Sequence, residues 1–125
     1  MIDVDSWIRL KLEGNTPLIT LLGSTDQVMY EYPNSFEIVP IVTYKELNQP
    51  HADFGDDAPV NVESYLEIDI WNDDNGTTAI AQAIDTIMIG IYYACEYNAP
   101  VPEPDTTRRH RVMRYRRQVS AEDLV

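Results

Sequence analysis

Apolar residues along this chain change their spacing several times, and each change predicts an element. Val4, Trp7, Ile8 and Leu12 recur at helical intervals, with Asp5, Arg9 and Lys11 among them, which predicts an amphipathic helix over 4–12 closed by Gly14 and Asn15. Thr16 as an N-cap and Pro17 at the first helical position predict a second short helix through Leu22, stopped by Gly23. From Gln27 to Tyr32 the period falls to two, so a strand is expected, followed by a turn at Pro33, Asn34 and Ser35. Ile38 to Leu47 is β-branched and aromatic, and Pro40 places that strand's start near itself or at a sheet edge. The clearest strand is 62–71, where Ser64, Leu66, Ile68 and Ile70 share one face and Glu63, Tyr65, Glu67, Asp69 and Trp71 the other. Thr77 is the expected N-cap of a long helix whose Ile80, Ile84, Ile87 and Ile91, with Ala83 and Met88, form one stripe.

Residues 48–61 contain Pro50, Gly55 and Pro59 without an apolar period, so an exposed, mobile loop is expected there. Pro100, Pro102 and Pro104 predict an extended linker. The last element, 107–119, fits a strand with Met113, Tyr115 and Val119 on one face and Arg108, His110, Arg114 and Arg116 on the other. Together these features predict an α+β fold: an antiparallel sheet of about four strands, one long helix packed across it, and a broken N-terminal helix. Residues 1–119 form the single expected domain and 120–125 a flexible tail.

The length of 125 residues and a 44% hydrophobic content fit one core. Residues 78–95 are apolar enough to raise the question of a membrane span, but Asp85 would sit near the bilayer centre at about 2.5–3.5 kcal/mol. Acidic flanks at Asp73, Asp74 and Glu96 also argue for a core helix instead. The start of the chain mixes Asp3, Asp5 and Arg9 with apolar residues, unlike a signal peptide, so an intracellular origin is expected. Cys95 stands alone and follows an apolar stretch, so it is expected as a buried reduced thiol.

Candidate chemistry is sparse. The run Trp71 to Gly76 resembles a calcium loop superficially, but Trp71 occupies the position of the first Asp and Gln82 that of the bidentate Glu. His51 with Asp53, Asp56 and Asp57 gives local ligand density without a second His or Cys nearby, and a solvated acidic loop is the favoured reading. His51 and His110 are the available imidazole bases; Ser24 lacks a nucleophile-elbow setting, and no glycine loop for phosphate is present. The expectation is a chain that is not an enzyme and uses no cofactor or metal.

Charge changes the picture most. The net charge is -12, which opposes bulk attraction to nucleic acid or anionic lipid, yet six of the nine basic residues fall in 107–119. Residues 1–107 hold nineteen acids against three bases. Pairing of Arg108, Arg114 and Arg116 with the Glu63, Glu67 and Asp69 face, within the chain or across a subunit interface, is therefore favoured over a nucleic-acid patch.

The order of elements, with Pro17-Leu18-Ile19-Thr20-Leu21-Leu22-Gly23, Val28-Met29-Tyr30-Glu31-Tyr32-Pro33, Pro40-Ile41-Val42-Thr43-Tyr44, Leu66-Glu67-Ile68-Asp69-Ile70-Trp71, a long helix and a late Arg-rich strand, resembles the tail completion proteins of tailed bacteriophages and prophages. This family is also called tail terminator or head-tail joining. The resemblance covers roughly residues 5–119. It implies a structural subunit that caps the tail tube as a ring of copies of itself, commonly six, and meets the tail tube protein and the head-tail connector protein. It further implies a place in the virion tail or neck after synthesis in the host cytoplasm, with no membrane and no specific nucleic-acid partner. Under it, Arg108, Arg114, Arg116, Glu63, Glu67 and Asp69 become subunit-interface candidates. Asp53, Asp56 and Asp57 become a lumen or partner loop, whose exchange for Asn is expected to slow genome passage, or to have no effect if the loop lies outside the lumen. The alternatives are another neck component, such as a head-tail adaptor, or a small cellular module that uses the Arg strand on an acidic partner or nucleic acid.

Overall fold

Each of the first two helices is set by its own cap. The computed structural model describes residues 1–55, 58–104 and 106–124, with backbone only at 53–55 and 58–60. Helix α1 spans Val4–Glu13 and is capped by Asp3, whose carboxylate accepts from Ser6 N. Helix α2 spans Thr16–Leu22; its cap is Asn15, which accepts from Leu18 N, one residue before the expected Thr16. Gly23 adopts φ +89°, the left-handed conformation that ends a helix without a Cβ penalty, and its N–H returns to Ile19 O.

A 3-10 turn at Thr25–Gln27 leads into strand β1, Val28–Tyr30, and the sheet continues with β2, Ile41–Asn48, β3, His51–Gly55, and β4, Ala58–Asn72. Helix α3 spans Thr78–Gly90; β5, Ala94–Val101, and β6, Arg109–Ser120, complete the sheet. The strand order is β1-β2-β4-β6-β5, with β3 paired to the first part of β4. β1 and β2 run parallel and every other pairing is antiparallel. The fold is thus α+β, with a mixed sheet of six strands and three helices where about four antiparallel strands and one long helix were expected.

Alternation along β4 and β6 divides the sheet into two faces. Leu66, Ile68 and Ile70 of β4, with Met113, Tyr115 and Val119 of β6, form one core with Ile8, Leu12, Leu18, Ile84 and Met88 of the three helices. Asp85, the acid inside the apolar stretch of α3, accepts a 2.8 Å hydrogen bond from the Tyr115 hydroxyl. Tyr93, between α3 and β5, donates to Ser64 Oγ at 2.8 Å, and burial pushes its phenol up to about 12. Among the described residues no helix is long and apolar enough to cross a membrane.

Three expectations, on residues 48–61, on the proline linker and on Cys95, are corrected by strand pairings with irregular register. Within the expected loop 48–61, residues 51–55 and 58–61 are strands; register shifts near His51, Asp53 and Phe54 accommodate residues poorly suited to a regular ladder, and β6 supports Asn61 and Val62 from the other side. Asp53 lies in β3 opposite Asn61, while Asp56 and Asp57 lie outside the described residues. The expected proline linker begins as a strand, because Pro100 sits on β5 at the end of the strand order, where a missing donor is tolerated. Cys95 is therefore exposed on β5, not buried at a helix end. Ser120, the first residue of the expected tail, closes β6, and its N–H and hydroxyl both reach Asp123 Oδ2 in the 3-10 turn that follows.

Candidate functional site on the helix-free sheet face

Among the described residues no helix packs on the second face of the sheet, and the connection 31–40 covers one end of it. This connection joins the parallel strands β1 and β2 in ten residues, and it brings Tyr32 and Phe36 edge-on to Trp71, with ring centroids 5.5 and 5.4 Å away. On its other side Trp71 stacks against His110 at 3.7 Å with the planes 10° apart. Register accounts for the pair, since Trp71 and His110 face each other across β4 and β6. Trp71 Nε1 donates to Thr43 Oγ1 of β2 at 3.3 Å, so this end of the face is a continuous polar and aromatic layer.

His110 links that layer to a row of ion pairs. Its Nε2 lies 2.7 Å from Asp69 Oδ2 and its Nδ1 3.6 Å from Glu103 Oε1. Burial is the main influence on Asp69 and raises its carboxyl above the usual range; the charge of Glu67 adds to the rise, against the opposing pull of His110. Glu67 is also buried, which alone would raise it. Hydrogen bonds from Asp69, Arg114 and Lys45 outweigh burial and hold it below its ordinary value. Arg114 Nε donates to Glu67 Oε1 at 3.0 Å and Lys45 Nζ lies 3.2 Å from Oε2, so one buried carboxylate joins β2, β4 and β6.

Arg116 continues the row with Nε 3.5 Å from Glu63 Oε2 and a terminal nitrogen 3.9 Å from Glu96 Oε2. The first of these is a charge contact without hydrogen-bond geometry, and Glu63 Oε2 is buried without a donor. A cleft of about 380 Å³ opens beside the row, between the start of α3 and Pro100, Glu103, Arg108 and Arg109.

Of the pairs expected from sequence, Arg114 with Glu67 and Arg116 with Glu63 come together inside one chain. Asp69 meets His110 instead of an arginine, and Arg108 lies 3.7 Å over the Phe36 ring. The other late arginines also have partners in the chain: Arg109 with Asp74, Arg111 with Thr77 and Asn98, and Arg117 with Asp123. Sequence reading missed Trp71, His110, Tyr32, Phe36 and Lys45 as one cluster. The two-residue period of β4 already put Trp71 on the acidic face, but strand order and register were needed to name its neighbours.

The arrangement can fix strand register and present a rigid, charged surface; its parts are ion pairs and packed rings. No protein-family model matches the chain, and no curated protein matches it.

Proposed function

We propose that this chain is a structural assembly subunit of the tail-completion type, which caps a phage tail tube as a ring of identical copies and helps join tail to head. One observation carries the reading: a single open sheet ends in two unlike edges, and each edge bears exposed large apolar side chains. Near β5 these are Tyr97, on the strand, and Tyr92, just before it; near β1 they are Tyr30, on the strand, and Ile38, in the connection that follows it. Side chains of this kind clustered at a surface mark protein contact sites. Two unlike surfaces on one subunit suit a heterologous contact, which generates a ring when its rotation closes. The order of elements that resembles the tail completion family supports the same reading. So does the engagement of all six late arginines within the chain, which leaves less free positive charge for a nucleic acid.

Deleting the coding sequence from the phage or prophage that carries it tests the function, with electron microscopy of the lysate as readout. The expected result is heads and tails that remain separate, with tails of unregulated length, restored by supplying the chain from a plasmid. Normal virions without the chain overturn the proposal.

A further inference from the structure

We propose that His110 is a proton-operated latch. As the imidazolium it holds Glu103, in the connection between β5 and β6, against the helix-free face of the sheet, and as the neutral ring it lets Glu103 go. The latch works within one chain and does not depend on the assembly role above.

The imidazole is set between carboxylates from two different parts of the chain. Nε2 lies 2.7 Å from Asp69 Oδ2 on β4, a hydrogen bond that the charged ring and the neutral ring can both make. Nδ1 lies 3.6 Å from Glu103 Oε1, past hydrogen-bond length, so this second contact rests on charge alone. A neutral ring that gives its one N–H to the Asp69 carboxylate turns the Nδ1 lone pair toward Glu103, and attraction becomes repulsion. The imidazolium carries an N–H on both nitrogens and satisfies both acids at once. Solvent screens little of this difference, because the His110 side chain is 11% exposed and that of Glu103 24%.

Packing decides which partner moves. The ring is stacked on Trp71 at 3.7 Å, and Trp71 is itself held by Tyr32, Phe36 and Thr43 Oγ1, so His110 stays in place when the proton leaves. Glu103 has no second ion pair among the described residues, and Pro102 and Pro104 on either side of it supply no backbone donor. The other charges nearby have partners of their own. Lys45 of β2 and Arg114 of β6 engage Glu67, the acid next to Asp69 on the same face of β4; Arg108 lies over Phe36, and Arg109 faces Asp74. Asp69 and Glu103 are thus the acids in contact with the ring. Glu103 also shares the wall of the cleft of about 380 Å³ with Arg108 and Arg109, so its release widens that cleft.

Trp71 reports the charge on the ring it touches, because an imidazolium quenches a stacked indole more strongly than a neutral imidazole does. In a Trp7→Phe background Trp71 is the single tryptophan, and its emission is expected to fall as pH is lowered through one transition that His110→Gln abolishes. Glu103→Gln is expected to move that transition to lower pH by about half a pH unit, the size of a partly exposed ion pair. Glu96→Gln, which removes the same charge from β5 away from the ring, is expected to move it clearly less. Relaxation of the backbone 15N at Glu103 reads the latch itself: its order parameter is expected to be high below the transition and to fall above it, and to be low on both sides in Glu103→Gln. If Trp7→Phe does not fold, the ring 15N shifts of His110 in the unmodified chain give the same transition. The latch is overturned by the absence of a transition, by one that Glu103→Gln moves no further than Glu96→Gln, or by an order parameter that stays constant across it.

Discussion

Alternate residues of one strand make both faces of this molecule, and the two faces hold together by different physics. On the helix side of β4, Leu66, Ile68 and Ile70 are shut away from water in a contact without charge. Two residues apart on the other side, Glu67, Asp69 and Trp71 are also largely buried, but under Lys45, Arg114, His110 and an irregular connection. The first face draws on apolar burial, which depends on volume and shape. The second depends on each charge having its partner, since a buried carboxylate left alone costs more than its ion pair contributes. Burial by itself therefore does not distinguish the core from the charged face; their chemistry does.

Substitutions should separate the faces by size of effect. Ile68→Ala, which opens a cavity against the helices, is expected to lower unfolding free energy by about 2–5 kcal/mol in urea titrations. Glu67→Gln leaves Lys45 and Arg114 without their shared carboxylate and is expected to cost about 1.5–3 kcal/mol at neutral pH. Its pH dependence sharpens the contrast. Glu67 is held below its ordinary range, so its contribution is present above the unfolded value and is lost as pH falls through the lowered folded value. The gap between wild type and Glu67→Gln should thus shrink as urea titrations move to acid pH, whereas the Ile68→Ala gap should remain. Asp69 has the opposite sign: its raised carboxyl favours the fold in its protonated form, a contribution lost as pH rises through the raised value.

Smaller effects follow on each side. Tyr115→Phe removes the hydroxyl that donates to Asp85 and is expected to cost about 0.5–1.5 kcal/mol, seen as a lower midpoint in thermal melts. Arg116→Ala, on a side chain half in solvent, is expected to change stability by less than about 1 kcal/mol and to lose even that in high salt. A loss as large as that of Glu67→Gln would show that the whole row, and not its buried carboxylate, holds the second face.

The helices and the core face were legible because their signals are local. Val4, Trp7, Ile8 and Leu12 carry the helical period in nine residues, and Leu66, Ile68 and Ile70 carry the strand period in five. What stayed hidden depends on which strands pair and in what register. β3 and the start of β4 have turn residues and pair with each other through an irregular register, His51 opposite Val62 and Gly55 opposite Ala58, so neither shows a clean period; β5 has Pro100 and little alternation, and an edge position tolerates it. The acidic and basic faces were legible as composition, and the structure pairs Arg114 with Glu67 and Arg116 with Glu63 within the chain. His110 took Asp69 and Phe36 took Arg108 because register and the path of 31–40 decide neighbours, and neither is written in a local period.

Native mass spectrometry combined with light scattering, across protein and salt concentration, tests the central claim most directly. The account predicts a closed ring of one defined size, commonly six, that forms with rising protein concentration and loosens with added salt. A strict monomer throughout, or a symmetric dimer that grows no further, would contradict it.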